Sequence, residues 1–148
     1  MNVGSVSLDR VLLDSAVFIY AVGVAHPYRD ACRQLLQALE AQRYRGEASA
    51  LAVEETLHQR IRRTGDRESA QRVARNVMML CPVHDLTTAD VALGLRLFGT
   101  SARLNARDVL HAATALNRGI PTIVSPDKAF DDVPQLERLD PTQAVARL

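Results

Sequence analysis

Short apolar runs alternate along this chain with longer stretches in which apolar residues recur every three or four positions, a pattern that predicts strands interleaved with amphipathic helices. Val11 to Leu13 is the first run and ends at Asp14; Ser15 then caps a short helix through Phe18, Ile19 and Tyr20. Gly23 to Pro27 breaks that helix. Tyr28 to Leu39 resumes with Ala31, Leu35 and Leu39 on one face, and polar Arg43 to Glu47 reads as loop. Ser49 caps a helix whose Val53, Leu57 and Ile61 form an apolar stripe, with Glu54 and Glu55 off it and Thr64-Gly65 as its stop. Asp66 to Met79 is a further helix with Ala70, Val73, Val77 and Leu80 on one side. Cys81 to His84 follows as a short strand, and Pro82 assigns it to a sheet edge.

Thr87 or Thr88 opens a helix in which Val91, Leu95 and Phe98 share a face, and Gly99 closes it. Thr100 to Asn105 is loop. Asp108 then starts an Ala/Leu-rich helix, where an acid suits the unpaired amides and the positive dipole end, and Asn117, Arg118 and Gly119 stop it. Ile120 to Val124 is a buried strand, followed closely by Asp127. KAFDDVPQ reads as a turn or short helix, Leu136 to Leu139 as a last edge strand, and Pro141 as the start of a short tail. Strands alternating with such helices predict an α/β fold with a parallel sheet covered on both faces.

That architecture gives the acids a common destination. Asp14 and Asp127 follow strands, while Asp108 and one of Glu54 or Glu55 lie in the first turns of helices, so all four approach the C-terminal edge of one sheet. Carboxylates gathered there repel one another unless they take up protons or share a cation. Oxygen ligands without cysteine or paired histidine favour Mg2+ or Mn2+ over zinc, and such an ion suits a substrate phosphate.

Composition narrows the reading. A chain of 148 residues with 47% hydrophobic content predicts one globular domain over residues 1–148. Cys32 and Cys81 lie in apolar surroundings without metal-site spacing and read as reduced core residues. MNVGSVSLDR has no basic segment leading into a long apolar one, and no run approaches a membrane span, so a soluble, cytoplasmic protein with no membrane partner is expected. The net charge of +1 gives no global case for nucleic acid. A local case exists in Arg60, Arg62, Arg63, Arg67, Arg72 and Arg75, which read either as a solvated helix face or as phosphate forks.

The blocks LLDSAVFIY, SALAVEETLH, LNARDVLHAATALNRGIP and IVSPDKAFDDVPQLERLDP together resemble the PIN-domain ribonucleases, in particular the VapC-type toxins of toxin-antitoxin pairs, over nearly the whole chain. The resemblance implies a PIN-like α/β/α sandwich and Mg2+- or Mn2+-dependent endonucleolytic cleavage of RNA. It carries the family's four acids onto Asp14, Glu55, Asp108 and Asp127, with Asp14, Asp108 and Asp127 holding the metal and Glu55 binding a second ion or orienting water. It further implies a structured RNA substrate such as tRNA, a homodimer, and a cognate VapB-type antitoxin whose tail obstructs the acidic site. Glu54 competes with Glu55 because it lies nearer the apolar stripe, and Asp131 competes with Asp127 because it too lies within a turn of the strand end.

One position departs from the family pattern: Ala16 stands where Asn is usual. It motivates a second class of function, a catalytically weak PIN fold acting through partner binding. A phosphate-accepting receiver domain also clusters acids at a sheet edge, but Lys128 directly after Asp127 matches it poorly. Ser15 and Ser125 are candidates for hydrogen bonds in the site or for caps and turns. His58 and His111 read as packing or surface residues, although His111 is one turn from Asp108 and within reach of substrate.

Overall fold

A computed structural model describes residues 6–148; residues 1–5, part of the N-terminal segment read above as lacking a leader, lie outside the described residues. Strands β1 (Arg10–Leu13), β2 (Arg45–Ser49), β3 (Val83–His84), β4 (Thr122–Val124) and β5 (Glu137–Leu139) form a parallel sheet in the order β3-β2-β1-β4-β5. The chain order reverses beside β1, so the C-terminal ends of β1 and β4 flank a switch point, where α/β sheets open a crevice. Val11 and Leu13 face a core built with α1 (Ser15–Val22), α2 (Arg29–Glu40), α3 (Ala50–Thr64) and α4 (Arg67–Leu80). Leu12 faces the opposite core, built with α6 (Ala106–Asn117) and Phe130 of a 3-10 turn (Lys128–Asp132). Alternation along one strand thus fills both layers.

Local chemistry sets most boundaries as expected. Ser49 accepts the Leu51 N–H, Asp66 accepts the Ser69 N–H, and Thr87 with Asp90 closes a capping box at the start of α5 (Thr88–Thr100). Gly65 and Gly119 close α3 and α6 at φ 66° and 68°, where a Cβ would be strained. Pro82 precedes edge strand β3, and both cysteines are buried and free.

Four expectations need correction. Arg43 to Glu47 is not loop, because β2 begins at Arg45 and lies between β1 and β3. Its sequence RGEAS has no strand-like periodicity. It is a strand because neighbours on both sides satisfy its backbone and because Glu47 is ion-paired with Arg10 (Nε to Oε2 2.6 Å) and hydrogen-bonded to His84 (Nε2 to Oε1 2.8 Å). A Cβ at Gly46 would lie 2.8 Å from Leu39 Cδ1 and 3.0 Å from Leu13 Cδ1. Gly46→Ala is therefore expected to cost about 1–3 kcal/mol by overpacking, read as a lower denaturant midpoint at unchanged slope.

The stripe on α3 is divided: Val53 packs against the core beside buried Ala52 and Thr56, whereas Leu57 and Ile61 line a groove against Arg67 and Ala70 of α4. On α5 the inward residues are Asp90 and Gly94, and the Val91, Leu95 and Phe98 face is 39%, 69% and 53% exposed. Gly94 allows α6 to come close, since a Cβ there would meet Val109 and Leu110 at 3.3 Å. Finally, Pro141 starts a short helix, α7 (Pro141–Val145), capped by Asp140 and Gln143, where a tail was expected.

Candidate active site

Asp14 is the first residue after β1, and its N–H donates to the Val124 carbonyl at 3.1 Å, which locks the end of β1 to the end of β4. The Ser125 hydroxyl donates to Asp14 Oδ2 at 2.6 Å and accepts the Asp127 N–H at 3.0 Å, so one side chain ties both post-strand acids together. Glu55 arrives from the second turn of α3, on the side of that helix that carries Ala52 and Thr56 into the protein. His111, buried in the middle of α6, brings Nε2 to 2.5 Å from Glu55 Oε1 and 3.9 Å from Asp14 Oδ1. Donor atoms of Asp14, Glu55 and His111 all lie within 4.8 Å of one another.

The electrostatics are those of a carboxylate cluster with one proton carrier in it. Burial pushes the Asp14 carboxyl up, against the charge of His111 and the Ser125 bond. Burial also works against the charged form of Glu55, but the bond and charge of His111, with the Ser15 hydroxyl and Arg107, win and hold Glu55 below its usual range. Burial would lower His111, yet Glu55 and Asp14 raise it. The Nδ1 of His111 is buried with no hydrogen-bond partner.

Asp108 and Asp127 stand outside the tightest group, and Asp108 feels the charge of Asp14 and His111 within it. Burial lifts Asp108 to about 6, opposed by the Asn105 backbone N–H and reinforced by Asp127 and Asp14. Asp108 also closes a capping box: its Oδ2 accepts the Asn105 N–H at 3.1 Å, so a helix cap and a site acid are the same residue here. Asp127 is exposed and caps the 3-10 turn through Ala129 N–H at 2.9 Å. Of the two competing pairs, Glu54 is exposed on the α3–α4 groove while Glu55 reaches the cluster, and Asp131 is taken up by Arg138 at 2.9 Å.

The family model for the PIN domain matches residues 11–136. The chain belongs to the PIN-domain family. Ribonuclease VapC7 of Mycobacterium tuberculosis (strain ATCC 25618 / H37Rv) is 35% identical to it over 136 residues, covering 90% of this chain and 93% of that protein, which places the chain among VapC-type PIN proteins. Among solved structures, DNA-bound VapBC from Salmonella typhimurium superposes at a TM-score of 0.70 with 16% identity over 90% of this chain and 99% of that one. Mycobacterium tuberculosis VapC20, described as a sarcin-ricin loop cleaving toxin, superposes at 0.68 with 14% identity over 82% and 92%. These two share the fold of this PIN domain.

The residue that sequence reasoning undervalued in this PIN domain is His111. It reads as packing because alanines surround it, and it is indeed 1% exposed; its ring nevertheless joins Glu55 and Asp14. The available signal was its i+3 spacing from Asp108, which puts both side chains on one face of α6. Ser125 resolves toward the site, since it bonds Asp14 directly.

Proposed function

We propose that residues 1–148 form one PIN domain acting as a divalent-cation-dependent endoribonuclease, the toxin of a toxin-antitoxin pair, with Asp14, Asp108 and Asp127 holding Mg2+ or Mn2+ and Glu55 completing the catalytic set. The observation that carries this reading is the meeting of Asp14 and Glu55 with His111 at the switch point of the sheet, with Asp108 near enough to feel the charge of Asp14 and His111. The ribonuclease name of VapC7 and the toxin-antitoxin complexes among the structural neighbours support it.

The donors fit a hard cation on their own chemistry. Asp14 and Asp108 are pushed toward protonation, which a divalent ion relieves, and the oxygen-rich set lacks cysteine. When bound, the ion supplies Lewis-acid stabilisation of charge on a phosphodiester oxygen and acidifies water for attack. The chain's residues supply position: Ser125 orients Asp14, the Asn105 N–H fixes one oxygen of Asp108, and His111 holds the Glu55 carboxylate in place. The partners of this reading are a structured RNA such as tRNA, a VapB-type antitoxin covering the acids, and a second copy of the chain. The exposed Val91, Leu95 and Phe98 row on α5 supports the last. Among the described residues no helix is long and apolar enough to cross a membrane, and a cytoplasmic location belongs to the toxin reading.

Two measurements test the reading. Purified protein freed of antitoxin is expected to cut total RNA at discrete sites with Mg2+ or Mn2+, to stop with chelator and to recover on re-addition; no cleavage under any of these conditions would leave a PIN fold that works by binding alone. The second is stability. An acid whose pKa rises from 3.8 unfolded to about 6 folded keeps a proton in the native state that the unfolded chain releases, so metal-free stability falls as pH climbs through that window. For Asp108 the loss is roughly 3 kcal/mol. Melting temperature without metal is thus expected to drop between pH 4 and pH 6 on this account, and Mn2+ to restore it at neutral pH but scarcely at pH 5. A melting temperature indifferent to Mn2+ at neutral pH would refute the metal assignment.

A further inference from the structure

The far end of α1 carries an aromatic group that the acidic site does not use. The rings of Tyr20 and His26 stack with centroids 4.0 Å apart and planes 15° from parallel, and Tyr28 lies 6.5 Å from Tyr20 and 5.9 Å from His26. The backbone beneath them is braced, since Arg33 Nε donates to the Ala21 carbonyl at 2.9 Å and Arg29 Nη1 to the Gly23 carbonyl at 3.5 Å. His26 Nδ1 accepts the Tyr28 N–H at 3.1 Å, which leaves Nε2 as the donor. His26 itself is exposed.

Tyr20 and His26 line one wall of a cleft of about 390 Å3, and Gln59, Arg60 and Arg63 of α3 line the other. Neither arginine has an acidic partner among the described residues, and Arg60 Nε is buried without any partner. Two guanidinium groups opposite a pair of aligned rings is the chemistry that binds single-stranded nucleic acid: bases stack on aromatic faces, and arginine forks take phosphate oxygens. An acidic peptide would satisfy the arginines, but the aligned rings favour a planar base.

The cleft lies on the approach to the acids. Glu55, Gln59 and Arg63 follow one another at i+4 along α3, so Arg63 is about 12 Å beyond Glu55. Tyr20 is five residues beyond Ser15 on α1, about 7.5 Å. After burial and Cys32, the charge of Asp14 contributes to the upward shift of the Tyr20 phenol, which places the ring within reach of the acidic field.

We propose that the cleft between α1 and α3 is a nucleotide-binding subsite, in which a base of single-stranded RNA stacks on the Tyr20–His26 pair while Arg60 and Arg63 hold the neighbouring phosphate. It deepens the ribonuclease reading and rests on it for the RNA, but its test does not depend on cleavage.

The probe is a short single-stranded oligouridine carrying one 2-aminopurine, bound in EDTA by antitoxin-free protein and followed by anisotropy and by the quench that stacking produces. His26→Ala is expected to weaken binding about tenfold and to abolish the quench, and His26→Phe to retain both. Arg63→Gln is expected to weaken binding and to reduce the salt slope by about one. An oligonucleotide abasic at the probe position should bind wild type as weakly as the intact one binds His26→Ala. With Mn2+, the His26→Ala variant should raise KM and leave kcat in place. Unchanged affinity in both His26→Ala and Arg63→Gln overturns the subsite, as does wild type that fails to bind the oligonucleotide or that binds the abasic probe with equal affinity. A protein that shows His26-dependent quenching yet cuts no RNA would sink the nuclease reading and leave the subsite standing.

Discussion

Asp14→Asn is expected to reduce RNA cleavage by about three orders of magnitude while leaving the melting temperature of the metal-free protein at or above that of wild type. The two halves of this result come from one property. Burial raises the pKa of Asp14, so its charge is an expense in the folded state that a neutral amide removes. Asn at this position still offers an oxygen to the Ser125 hydroxyl, now 2.6 Å from Oδ2, so the joint between β1 and β4 survives. What it lacks is the anionic ligand. Cleavage assays on RNA beside thermal melts of the same preparations separate the two effects. Activity within a few-fold of wild type would remove Asp14 from the catalytic set.

The second large effect lies at the opposite end of α6 and touches stability alone. Asp90 is fully buried; it accepts Arg118 through both oxygens at 2.9 and 3.1 Å, Asn117 at 2.8 Å and the Thr87 N–H at 2.9 Å. Burial alone would raise its pKa, but Arg118, the Thr87 amide and Asn117 hold it far below the usual carboxylate range. Asp90→Ala strands the Arg118 guanidinium and removes half of the α5 capping box, which together are expected to cost about 3–5 kcal/mol. For a chain of this size that is a fall of roughly 10 °C or more in melting temperature. The sign with pH is opposite to that of Asp108. A depressed pKa contributes stability above the unfolded value and loses it as pH falls below about 4, so the gap between wild type and variant should shrink in acid. Cleavage below the variant's melting temperature should be unchanged, because Asp108 lies ten residues back along α6, about 15 Å away. A variant as stable as wild type would show that the network is dispensable.

The parts of this fold that local chemistry specifies were readable from the chain, and those that depend on distant neighbours were not. Val11 to Leu13 followed by Asp14 announces a buried strand and an acid at its end, and Asp108 before an Ala/Leu-rich run announces a helix start; both are where the sequence puts them. RGEAS carries no such signal, since β2 is a strand by virtue of β1 and β3. The apolar spacing on α5 correctly marks one continuous face and is silent on what covers it; Gly94 and Asp90 decide that by turning the other side toward α6. In the site, Asp14, Asp108 and Asp127 follow from strand ends and caps. Glu55 needed the docking side of α3, which small Ala52 and Thr56 define better than Val53 and Leu57 do. His111 needed a partner that lies 56 residues earlier in the chain.

The position of β4 beside β1 has a consequence for how the protein is made. Asp14 is made 111 residues ahead of its partner Ser125, and β4 completes the flank of β1 only then. A chain that stops before β4 therefore lacks the Ser125 bond to Asp14 and is left with an unpaired edge on β1, the kind of surface that invites aggregation and clearance. On the toxin reading proposed above, the order of synthesis itself holds back the complete acidic site until β4 has been made.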